Sequence, residues 1–222
     1  EDMVNVKICS IQEVSHLFAA ADAGADFVGL NFVPGVRREL AEEKAYEIVQ
    51  QFRMQWGKQG PKLIGIFVDQ PLGEVNRILE RCDLDMAQLS GEESMAYCRG
   101  VGRPTVKAIH VPVGLPVETG IEILAASITE LQYTGVIPLL DPHVPGHFGG
   151  TGVAFDWDVA QQLANRHDFV LAGGLNQNNV GAAIRQVRPW GVDVSSGVET
   201  NGQKDPEKIR AFVRAARECD ST

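Results

Sequence analysis

The sequence predicts an α/β protein, a closed (β/α)8 barrel. Eight short apolar runs punctuate the chain, and the stretches between them carry apolar residues at helical spacing. Glycine-rich turns follow the last three runs, as loops at the ligand-binding end of such a barrel would. The runs are Val4–Cys9, Asp26–Phe32, Leu63–Val68, Leu84–Leu89, Thr105–His110, Gly135–Leu140, Asp168–Ala172 and Gly191–Val194. Several are almost wholly apolar, the mark of parallel strands buried on both faces.

The helical template i, i+3, i+4, i+7 is met by Val14, Leu17, Phe18 and Ala21, and again by Ala45, Ile48, Val49 and Phe52. Val75, Ile78, Leu79 and Cys82 match it, as do Val180, Ala183, Ile184 and Val187, and Ile209, Phe212, Val213 and Ala216. Weaker helical patterns cover Glu92–Cys98, Val117–Leu131 and Asp156–Ala164. Asp205-Pro206-Glu207 begins the last helix, with Asp as the cap and Pro where a missing N–H does no harm. Eight alternations also suit an open doubly wound sheet. The strand count favours the barrel, and no GxGxxG opens the first unit. No linker divides the chain, so one domain over residues 1–222 is expected.

At 222 residues, 44% hydrophobic and 22% charged, the chain can fill a barrel core. Its net charge of −9 argues against nucleic acid, which needs clustered Lys and Arg. A single phosphate remains possible, because backbone N–H groups hold it locally. Cys9, Cys82, Cys98 and Cys219 form no CxxC pair, and the histidines show no ligand spacing, so neither disulfides nor a metal are expected. The first residues carry no basic start or apolar signal core, and no apolar run is long enough to span a bilayer. The expectation is a cytoplasmic protein with no membrane contact, and a monomer.

Barrel chemistry sits at the carboxyl ends of the strands. The residues there are Cys9, Asn31, Gln88, Asp141, Gly173-Gly174, and Asp193 with Ser195-Ser196-Gly197. Alone, Cys9 reads as a buried small hydrophobe, and Asp141 divides between a turn residue before Pro142 and a site carboxyl. Together, a thiol and a carboxyl at two strand ends can supply a base and an acid to one ligand. Phe148-Gly149-Gly150-Thr151-Gly152, Gly173-Gly174 and Ser195-Ser196-Gly197 follow successive late strands and suit close approach to a phosphate. A short helix after the last strand could aim N–H groups at it. Arg37 and Arg38 follow the second strand, where one arginine near the mouth could grip a carboxylate with two parallel hydrogen bonds.

Taken in order, these pieces resemble the phosphoribosylanthranilate isomerase family. They are Val6-Lys7-Ile8-Cys9, Ala23-Gly24-Ala25-Asp26, Phe32-Val33-Pro34, Gln88-Leu89, Lys107 and Leu140-Asp141. Gly149-Gly150-Thr151-Gly152, Ala172-Gly173-Gly174-Leu175 and Asp193-Val194-Ser195-Ser196-Gly197-Val198-Glu199 complete the set. The resemblance implies a TIM barrel of the ribulose-phosphate-binding type. It implies aldose-to-ketose isomerisation of a phosphosugar in tryptophan biosynthesis, with no cofactor. It implies Cys9 as general base, Asp141 as general acid, Arg37 on the anthranilate carboxylate, and Gln88 and Asp193 among the substrate-binding groups. Gly150, Thr151, Gly152, Gly173, Gly174, Ser195, Ser196 and Gly197 would hold the phosphate. Ser10 stands where the family usually has Gly, and Ser90 where it usually has His.

The acid role sets a physical requirement. An ordinary Asp of pKa ~3.9 is protonated about once in a thousand at neutral pH, and raising it to ~7 takes roughly 4 kcal/mol of preference for the neutral form. Two other readings fit the motifs. One is the sister isomerase of histidine synthesis, which looks like an Asp pair and is opposed by Cys9. The other is a phosphosugar-binding barrel without catalysis, opposed by the retained Cys9 and Asp141.

Overall fold

Each apolar run becomes a parallel strand because both of its faces find cover. One face meets the barrel interior and the other meets the helices. The computed structural model describes residues 3–112, 117–143 and 157–219. The first half runs β1 (Asn5–Ile8), α1 (Val14–Ala23), β2 (Phe27–Asn31), α2 (Glu42–Trp56), β3 (Lys62–Phe67), α3 (Leu72–Arg81), β4 (Met86–Leu89) and α4 (Met95–Gly100). The second half runs β5 (Thr105–Pro112), α5 (Val117–Tyr133), β6 (Ile137–His143), α6 (Trp157–Ala164), β7 (Val170–Leu171), α7 (Val180–Val187) and β8 (Gly191–Val194). A short hairpin, β9 (Glu199–Thr200) and β10 (Gln203–Lys204), precedes α8 (Pro206–Cys219).

Strands β1 to β8 pair in sequence order, and β8 returns to β1, closing the barrel. The seam aligns Lys7 with Asp193 and Ile8 with Val194. Period-two alternation sorts the side chains. Ile64, Met86, Val106, Leu139 and Val170 form an inner cluster. Ile8, Val28, Leu30, Leu63, Leu140 and Val192 join the helix stripes in the main core. All five helical stripes expected from the sequence bury their residues there, apart from Val14 and Phe18, which are partly covered.

Several boundaries differ from the expectation. Strand β6 continues to His143, so Asp141 lies inside the strand, as the register partner of His110 on β5. Pro142 does not stop it, because a residue without an N–H can still accept from a neighbouring strand. Strand β7 shrinks to two residues, and the left-handed Gly173 and Gly174 (φ 94 and 65) turn the chain soon after it. The helix expected after β8 is a 3-10 turn of three residues, Ser196–Val198.

The hairpin after that turn went unpredicted. Its signal is the Asn201-Gly202 pair, with φ of 51 and 79, the left-handed pair that a tight two-residue hairpin requires. The cap on α8 forms as expected, with Asp205 Oδ1 accepting from Glu207 N at 2.9 Å. No helix among the described residues is long and apolar enough to cross a membrane.

Candidate active site

The carboxyl ends of the strands surround a cavity of roughly 780 Å3, counted out to its open mouth. Cys9 and Ser10 enter it from β1, Gln88 and Ser90 from β4, Asp141 from β6, and Asp193 with Ser195 and Ser196 from β8. The strand ends therefore bring the expected thiol and carboxyl into one pocket. Cys9 is buried, and its N–H donates to Val194 O at 2.8 Å, which fixes the residue across the barrel seam. Its Sγ lies 3.5 Å from Ser10 Oγ.

Asp141 is the electrostatically unusual group. Burial, helped by the nearby Asp193 carboxylate and opposed by Lys7, pushes its carboxyl up from 3.8 to about 7. That is the range a general acid needs at neutral pH. Beneath it, Lys7 Nζ donates to Asp193 Oδ1 at 3.0 Å, with both side chains nearly sealed from water. Burial alone would lower the Lys7 ammonium, but the charge and hydrogen bond of Asp193, with Cys9 nearby, raise it above its ordinary value.

Gln88 Nε2 donates to Ser90 Oγ at 3.0 Å. Among the described residues, Gln88 Oε1 is buried and has no partner. An acceptor in that state costs about 1–3 kcal/mol until a donor arrives.

The late turns form one wall. Gly173, Gly174, Ser195, Ser196 and Gly197 all line the cavity. Gly197 has a strict steric reason: a Cβ there would stand 1.9 Å from Leu175 O, so only glycine lets the last two turns touch. Gly150, Thr151 and Gly152, the third expected phosphate turn, lie outside the described residues.

The model of the family described as N-(5'phosphoribosyl)anthranilate (PRA) isomerase matches residues 6–215. The chain belongs to this family. The N-(5'-phosphoribosyl)anthranilate isomerase of Dehalococcoides mccartyi is 42% identical over 218 residues, 98% of each chain. That of a Roseiflexus species is 44% identical over 218 residues, covering 97% of this chain and 98% of the relative. The crystal structure of the Thermotoga maritima phosphoribosyl anthranilate isomerase superposes with a TM-score of 0.82 at 32% identity, covering 97% of this chain and 100% of that one. A phosphoribosyl anthranilate isomerase in complex with reduced 1-(o-carboxyphenylamino)-1-deoxyribulose 5-phosphate gives 0.79 at 31% identity, with the same coverage. Another Thermotoga maritima structure shows monomers of a dimeric phosphoribosylanthranilate isomerase, at TM-score 0.78 and 31% identity over 97% of this chain and all of that one.

Within this isomerase family member, the two arginines of the β2 loop are placed differently. Arg38, not Arg37, forms part of the cavity wall. The Arg37 side chain is half exposed and reaches Gly202 O and Glu199 Oε2 instead. Two adjacent loop residues face different ways, and the turn at Pro34–Arg38 decides which one looks inward.

Sequence reasoning also missed charged groups that bond to residues of the cavity wall. Lys7 was read as one residue of an apolar strand, yet inward alternation and its register with Asp193 place it in the interior. Glu199 and Lys204 sit on the unpredicted hairpin. Ser10 adopts a left-handed backbone, φ 60, a conformation that glycine takes with less strain.

Proposed function

We propose that the chain converts N-(5-phosphoribosyl)anthranilate to 1-(2-carboxyphenylamino)-1-deoxyribulose 5-phosphate, the Amadori rearrangement of tryptophan biosynthesis. Asp141 donates its proton to the furanose ring oxygen, and the ring opens to a Schiff base conjugated with the aromatic amine. The Cys9 thiolate takes the C2′ proton, and the electron pair left behind flows to the nitrogen, giving an enolamine. Tautomerisation yields the 1-amino-2-ketose. The substrate nitrogen is the electron sink, so the steps call for no cofactor.

One observation carries the assignment: a carboxyl raised to about 7 in the same cavity as a buried thiol. Gly173, Gly174, Ser195, Ser196 and Gly197 hold the phosphate, together with Gly150, Thr151 and Gly152. Arg38 takes the anthranilate carboxylate. Gln88 Oε1 accepts from a substrate donor, and Asp193, braced by Lys7, orders the polar floor. The relative solved with the reduced product supports a ligand of this chemistry.

The chain works in the cytoplasm, where its four free thiols stay reduced. It works as a monomer, since its large exposed apolar side chains are spread over the N-terminal segment, α2 and α5. Sedimentation at micromolar concentration reads that state.

Loss of anthranilate-type fluorescence on adding substrate tests the activity. Asp141→Asn and Cys9→Ala should each abolish turnover while leaving product affinity within about tenfold. Near-parental rates in either variant would sink the assignment.

A further inference from the structure

Glu199 takes no part in the proton transfers and does not line the cavity, yet it is heavily bonded to Arg38, which does. Its side chain is 7% exposed. Arg38 grips it in a fork, Nε to Oε1 at 2.7 Å and Nη2 to Oε2 at 3.2 Å. Arg37 Nη2 adds a bond at 2.8 Å and Lys204 Nζ another at 3.0 Å. The same Lys204 ammonium continues to the phosphate wall, donating to Ser195 O at 2.7 Å and lying 3.3 Å from Ser195 Oγ. One carboxylate therefore joins an arginine on one side of the cavity to the serine turn on another.

The charge arithmetic is unusual for this chain. Three cations meet this one carboxylate, while the whole chain carries −9. Burial would push Glu199 up, but the bonds from Arg38 and Arg37 and the charge of Lys204 hold it down to about 2. It therefore carries its charge at neutral pH. An unbraced arginine samples many rotamers and gives up that freedom on meeting a carboxylate. A braced one has already lost it.

We propose that Glu199 is a positioning residue for the substrate. It holds the Arg38 guanidinium in the orientation that receives the substrate carboxylate, and through Lys204 it sets the Ser195 turn that receives the phosphate. This rests on the isomerase reading above, in which Arg38 and the serine turn bind the two anionic ends of one molecule. Glu199 adjusts ground-state binding and leaves the acid and base untouched.

The test is a double-mutant cycle on the full chain, read by fluorescence decay. Glu199→Gln should raise KM about tenfold, with kcat within about threefold. It should also weaken competitive inhibition by inorganic phosphate about threefold. In an Arg38→Ala background the same substitution should raise KM only by the roughly threefold that acts through Lys204 and the Ser195 turn, because the arginine it braces is gone. Arg37→Ala removes one bond to the same carboxylate without touching the cavity, and should change KM less than about threefold.

Equal KM increases in both backgrounds would overturn the proposal. So would unchanged phosphate inhibition, or a rise from Arg37→Ala as large as that from Glu199→Gln. If Glu199→Gln does not fold by circular dichroism, Glu199→Asp carries the same comparison, with a KM rise of about threefold that again shrinks without Arg38. Absence of turnover in the unsubstituted chain would overturn the isomerase reading and this role together, whereas turnover with an additive cycle overturns this role alone.

Discussion

Lys7 on β1 and Asp193 on β8 meet at 3.0 Å inside the barrel, at the seam where the first and last strands close. Both side chains are at most 9% exposed, so neither charge has water to fall back on. Removing one partner strands the other. Lys7→Met should cost about 3–5 kcal/mol of unfolding free energy, read as a lower midpoint in urea. It should also change the chemistry. Lys7 holds the Asp141 carboxyl down against burial and Asp193, so its loss should move the alkaline limb of kcat/KM to higher pH. An unchanged urea midpoint would contradict the burial argument.

Asp141 links pH to stability with a sign opposite to most carboxylates. Its folded value of about 7 lies above the ordinary 3.8. Between those two values the folded chain holds a proton that the unfolded chain has released. The stabilisation is therefore complete below the unfolded value and is lost as pH rises through the folded one. The loss at about pH 8 approaches 4 kcal/mol. Asp141→Asn never ionises, so the inactive variant should be more stable than the parent at about pH 8, and the gap should close as pH falls towards about 4. Parallel stability curves for the two proteins across that range would refute the raised carboxyl.

Gln88 lines the cavity, and its Oε1 has no protein partner among the described residues. Gln88→Met keeps the length and removes that acceptor. Its thermal midpoint should equal or exceed the parent's, while KM rises about tenfold for want of the ligand bond. A clear drop in midpoint with unchanged KM would mean that Gln88 serves the core and not the ligand.

Ser10 sits at φ 60, in the left-handed region, with 4% exposure. An L-residue there carries about 1–2 kcal/mol of strain, and glycine returns part of the relief by being more flexible when unfolded. Ser10→Gly should gain about 0.5–1 kcal/mol, a rise in midpoint of roughly 2 °C for a chain of this size. Ser10→Val should do the reverse, because branching at Cβ worsens the same strain. Calorimetry on the two variants separates them, and equal shifts would remove backbone strain as the reason.

Much of this molecule was legible in its residues. The strands could be read because a parallel strand sealed on both faces must be apolar, as Leu63–Val68 is, and the helices because one stripe must face the sheet, as with Ile209, Phe212, Val213 and Ala216. Cys9, Gln88, Asp141 and Asp193 could be found because strand ends follow from strand positions, and the barrel brings all of those ends to one mouth. The turn glycines could be found because glycine takes left-handed backbones with the least strain and leaves room for close approach.

Tertiary structure decided the rest. Arg37 and Arg38 are neighbours of identical chemistry, and only the folded loop distinguishes the one on the cavity from the one outside it. Asp141 became an acid near neutrality through burial beside Asp193, a residue on another strand. Arg38 and Glu199 lie 161 residues apart and meet only when the barrel closes. Local patterns record what each segment needs from water and from its own backbone. Charge, burial and contact between distant segments depend on distances that exist only after folding.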